Sequence, residues 1–143
     1  MKAWRIGAMI GLLICGCGRA AAPKSQTLPV KGTVTLDGKP LSGANVVFLV
    51  ADPPAAFVGT TKDNGTYELQ GAEGRAASLR GNCKVTVSRM VKPDGSRLAP
   101  GEMPAMVFAT EELPPKYSRL DSTVLMKTVP AEGGTFDFAL ESK

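Results

Sequence analysis

The sequence predicts an all-β protein, a two-layer β-sandwich of about seven strands. Three observations lead there. Apolar and polar residues alternate at period two in segment after segment. Tight-turn residues, such as Asp37-Gly38, Asp63-Asn64-Gly65 and Gly133-Gly134, separate those segments. No stretch has the 3.6-residue apolar period of an amphipathic helix of ordinary length. Short strands with close turns each bury one face, and they do so by stacking as two sheets.

The chain opens with a leader before the first strand. Lys2 and Arg5 form a basic tip, Ile6 to Ile14 is an apolar run, and Cys15-Gly16-Cys17-Gly18 follows. That is the layout of an export signal. It ends on a cysteine, and in this it resembles the lipobox of bacterial lipoproteins. Gly16 is the small residue before the modified cysteine, and Ile14 is the aliphatic residue three places before it. The resemblance implies a signal peptide over residues 1–16 and a lipid on the Cys17 thiol, with acyl chains holding the protein to a membrane. The expected location is the periplasmic or outer cell surface. An ordinary signal processed at Ala20 to Ala22 stays open. So does a membrane helix, although Ile6 to Cys17 is shorter than the ~20 residues a span needs.

Residues 17–27 are small, polar and Pro-containing, and read as a tether. The domain covers residues 28–143. Val30, Gly32, Val34 and Leu36 alternate with Lys31, Thr33 and Thr35 in a half-buried first strand. Asp37-Gly38 turns, and Lys39 to Gly43 carries the chain back. Ala44 to Val50 is apolar and β-branched, a central strand that Pro53-Pro54 ends. Phe57 to Lys62 and Thr66 to Leu69 form a hairpin across Asp63-Asn64-Gly65. Gly71 to Gly81 is loose. Asn82 to Met90 is one strand, with Cys83, Val85 and Val87 on its inner face. Thr123 to Val129 is β-like, and Phe136, Phe138 and Leu140 mark the last strand.

Between Lys92 and Ser122 lie five prolines and no sustained period. Such a segment is either functional or poorly ordered. Met103, Met106, Val107 and Phe108 are its apolar residues of interest. They cover a sheet edge or core end, or they form a contact surface.

Composition excludes several chemistries. The chain has 17 basic and 13 acidic residues; without Lys2 and Arg5 the balance is 15 to 13. The basic residues are scattered, which argues against nucleic acid. There is no histidine. That removes Ser-His-Asp and Cys-His nucleophiles and His-ligated zinc. Glu111-Glu112 reads as solvated charge in a loop. Asp63-Asn64 lacks the further oxygens of a calcium loop. Cys83, left alone once Cys15 is removed and Cys17 acylated, reads as a small buried hydrophobe. No catalytic, metal or cofactor residues are expected.

Val30-x-Gly32-x-Val34 and Asp37-Gly38-x-Pro40-Leu41-x-Gly43-Ala44-x-Val46-x-Phe48 resemble the opening of carboxypeptidase-regulatory-like, or transthyretin-like, domains. Thr61-x-x-x-Gly65-x-Tyr67-x-Leu69 is similar to that family's central hairpin, and Gly81-x-Cys83-x-Val85-x-Val87 to its next strand. Leu113-Pro114-x-Lys116-Tyr117 through Phe136-x-Phe138-x-Leu140 looks like small lipoproteins with this domain. The resemblance implies a seven-stranded Greek-key sandwich and a non-catalytic stabilising or interaction module. Its enzymatic relatives use histidines, which this chain lacks. Gly32 is expected to let another backbone or ring pack on the first strand.

The function expected is a lipid-anchored module with structural, protein or glycan contacts at the envelope. The alternative is a small-ligand or carbohydrate-binding lipoprotein using residues 92–122. Trp4, in the leader, is the one tryptophan, so the mature domain has no indole to stack on a sugar.

Overall fold

The computed structural model describes residues 30–71 and 79–143. The leader, Cys17, the tether and residues 72–78 of the loose stretch lie outside the described residues. The described chain is all-β, apart from a 3-10 turn and one four-residue helix.

Strand β1 (Val30–Leu36) occupies the middle of the first sheet. It returns through Asp37-Gly38, both at positive φ (50° and 80°), into β2 (Lys39–Pro40). β5 (Thr66–Glu68) also runs antiparallel to β1, on its lower half. β11 (Gly134–Thr135) and β12 (Phe138–Leu140) run parallel to it. The second sheet is antiparallel throughout, in the order β10 (Met126–Val129), β7 (Gly81–Ser88), β3 (Asn45–Ala51), β4 (Pro54–Thr60), β6 (Gln70–Gly71). A short ribbon, β8 (Met90–Val91) with β9 (Thr110–Glu111), extends beyond β7.

One apolar cluster joins the two sheets. Val34, Val46, Phe48, Val85 and Val87 are fully buried. The Phe48 ring, from the second sheet, lies 6.0–6.5 Å from Tyr67, Phe136 and Phe138 of the first. Edge-on aromatic packing at this distance adds to simple burial. Gly32 behaves as expected. A Cβ there would overlap the Phe136 carbonyl and press on the Tyr67 ring at 3.0 Å.

Five element boundaries differ from the sequence reading, each for a local reason. Pro53-Pro54 does more than end a strand. Asp52-Pro53 is a two-residue turn, and Pro54 opens β4 opposite Ala51. The first position of a strand tolerates a missing N–H.

Thr66 to Leu69 is not the partner of Phe57 to Lys62. The turn forms, with the Lys62 N–H donating to Thr66 at 2.8 Å, but the strands then part. β5 crosses to β1, and only β6 returns to β4. Burial of Tyr67 between the sheets draws the chain across. Gly59 makes room for the crossing, because a Cβ there would lie 2.7 Å from the Glu68 carbonyl.

Asn82 to Met90 breaks at Arg89, whose N–H donates to the Glu111 carboxylate at 2.9 Å. The last strand breaks between Thr135 and Phe138, where the Asp137 carboxylate accepts the Thr33 N–H at 2.8 Å. β10 begins later than Thr123, whose hydroxyl donates to the Val85 carbonyl at 2.6 Å. In each case a side chain replaces a ladder partner, and the regular register stops.

Candidate functional site

Residues 89–112 leave the far end of β7 as one excursion. Its base is pinned by carboxylates. Glu111 accepts the N–H groups of Arg89 and Leu113 at 2.9 and 3.0 Å, and the Ser88 hydroxyl. Glu112 pairs with the Arg89 guanidinium at 2.9 Å. Glu111 and Glu112 stay exposed, as their reading as solvated charge has it, and in addition serve as backbone and ion-pair clamps.

Above the base, Asp94 closes a turn by accepting the Ser96 N–H and hydroxyl. Those bonds hold its carboxyl below the usual range. Arg97 reaches Asp63 at 2.9 Å and ties the excursion to the Asp63-Asn64-Gly65 turn. Glu102 accepts from Lys92 at 2.8 Å and from the Ala99 N–H at 2.6 Å. The Lys92 bond, then the Ala99 bond, lower its carboxyl.

Residues 99–109 carry one charge, Glu102, and that charge is paired. Pro104–Val107 is a 3-10 turn, started by a proline whose missing N–H is unneeded there. Met106 N–H donates to the Met103 carbonyl at 3.0 Å, and Ala109 N–H to the Pro104 carbonyl at 2.9 Å. Phe108 ends the turn in the left-handed region, at φ 53° and ψ 35°. A bulky residue is rare there and is strained by ~1–3 kcal/mol. Met103, Met106 and Phe108 are 68%, 77% and 80% exposed, and Val107 is half-buried.

The expectation that these four cover a core end or sheet edge is thus corrected for Met103, Met106 and Phe108. Leu113 and Tyr117 belong to the core instead, at 3% and 7% exposure. Leu113 precedes Pro114, and Tyr117 is the buried residue of a helical turn, α1 (Pro115–Ser118), packed on β7. Bulky apolar residues four apart, around a helix-starting Pro-Pro, were the available signal.

Open clefts among the described residues lie elsewhere. One, of about 610 Å³, runs between β4 and the crossing strand, past Val58, Thr60, Lys62, Glu68 and Gln70. Another, of about 470 Å³, borders Asp37, Gly38 and the C-terminal residues. Met103, Met106, Val107 and Phe108 line neither. Among the described residues, no three His, Cys, Asp or Glu side chains gather for a metal. Burial pushes the Cys83 thiol and the Tyr67 phenol up, away from their reactive anions.

No family model, curated protein or solved structure matches the chain. Among the described residues, no helix is long and apolar enough to cross a membrane.

Proposed function

We propose that this chain is a non-catalytic, lipid-anchored module of the bacterial envelope, a seven-stranded Greek-key β-sandwich of the carboxypeptidase-regulatory-like kind. Cys17 carries the lipid. The Met103–Phe108 tip makes contact with an envelope protein or glycan.

The observation that carries this reading is the placement of the tip. Val30 pairs with Gly134, and Val129, before the turn into that strand, pairs with Gly81. The entry to β1 and the start of β7 therefore share one end of the fold. β7 runs eight residues away from it, roughly 23 Å at the strand rise. The excursion leaves from that distant end. A chain held through residues before Val30 presents its apolar tip away from the membrane. The ionisable groups around the tip support a binding role over a reactive one, because they are engaged in clamps.

The test is a Cys17→Ser variant. The parent chain is expected in the membrane fraction and the variant in the soluble fraction. Retention of the variant in the membrane overturns the lipid anchor.

A further inference from the structure

We propose that Met103 and Met106 form a two-thioether site for a soft monovalent metal ion, copper(I) or silver(I). The hydrogen bond from Met106 N–H to the Met103 carbonyl, at 3.0 Å, closes a four-residue turn. Such a turn holds its outer α-carbons within about 7 Å. Both side chains stand in solvent, at 68% and 77% exposure. Neither side chain is part of the buried core, and a methionine side chain is unbranched and flexible enough for both to meet on one ion.

The donors nearby select the metal class. Thioether sulfur is polarisable and uncharged, and favours copper(I) over magnesium or calcium. The adjacent carboxylate, Glu102, is occupied on both oxygens by Lys92 and Ala99. It is not free to draw a hard cation. The chain has no histidine to recruit zinc or copper(II) through imidazole. The tip therefore offers two soft donors with no competing hard ones. The inference stands apart from the anchor, since Cys17→Ser leaves the turn untouched.

Silver(I) is the probe, because it binds thioethers without redox chemistry. The full chain is labelled with carbon-13 at its methionine methyls, and its accessible thiols are blocked with iodoacetamide. Met126 is a lone exposed methionine, at 63%, and serves as the internal control. The Met103 and Met106 methyl resonances should move together and saturate at one silver per chain before the Met126 methyl moves. Three methyls moving at the same silver concentration overturn the site. In a Met103→Leu variant, the Met106 response should need about tenfold more silver or higher, since a second tethered donor raises avidity. An unchanged Met106 response in that variant also overturns it.

Discussion

The Tyr67 hydroxyl donates to the Phe136 backbone carbonyl at 2.7 Å, across 69 residues of sequence. The carbonyl lies over Gly32, where any Cβ would overlap it. Two strands of the first sheet, β1 and β5, and the break between β11 and β12 are locked at this one point. Tyr67→Phe keeps the ring and removes the bond. It should lower unfolding free energy by about 1–2 kcal/mol in urea. A variant as stable as the parent would show that the carbonyl finds another partner.

Gly32→Ala tests the same point sterically. The added methyl must displace the Phe136 carbonyl or the β1 backbone. The expected loss is ~3 kcal/mol, the upper end for overpacking, read from the same denaturation curve. A loss below that of Tyr67→Phe would contradict the close approach.

The two apolar groups of the 92–122 segment should behave differently. Leu113→Ala removes a core side chain and should destabilise by ~2–4 kcal/mol. Met106→Ala removes an exposed one and should stay within about 0.5 kcal/mol. Thermal unfolding of the two variants decides it, and similar values would mean that the tip is packed in solution.

Acid should loosen the tip before the core. The Lys92 and Ala99 bonds depress the Glu102 carboxyl below its ordinary 4.5. A depressed carboxyl stabilises fully above its unfolded value and loses that contribution as pH falls through the folded one. Exchange of the Ala99 amide should therefore speed up, relative to its intrinsic rate, as pH drops below about 4.5. Glu102→Gln should show the fast exchange already at neutral pH. Ala99 protection that is flat down to pH 2 would refute the clamp.

Lys127 guards an open edge. It sits on the inner side of β10, its ammonium 5.6 Å from the Phe138 ring centroid. β10 pairs with β7 on one side only. An inward charge on an edge strand discourages pairing with other chains. Lys127→Val should raise the apparent mass in light scattering as concentration rises. A monomer at all concentrations would remove this role.

What could be read from sequence followed locality. β1, the inner face of β7 and the Asp37-Gly38 turn were visible because each rests on alternation or turn chemistry within a few residues. The crossing of β5 was hidden, since it depends on Gly59 meeting Glu68 and on Tyr67 meeting Phe136. The breaks at Arg89 and Asp137 were hidden for the same reason. Glu111 and Thr33 supply partners from 22 and 104 residues away. The tip residues were nameable as apolar and outside strands. Their exposure was not, because which apolar residues of that segment are buried, Leu113 and Tyr117, is settled by packing against the distant β7.

The flanking of β1 has a mechanical consequence. Its neighbours, β12 and β11 on one side and β2 and β5 on the other, bond to it crosswise to its axis. Tension applied at Val30 along that axis loads those bonds together in shear, where a hairpin at an edge would unzip them singly. A strand gripped on both flanks is suited to bearing a pull, and here it is the first one that a leash from the N-terminal side would tug.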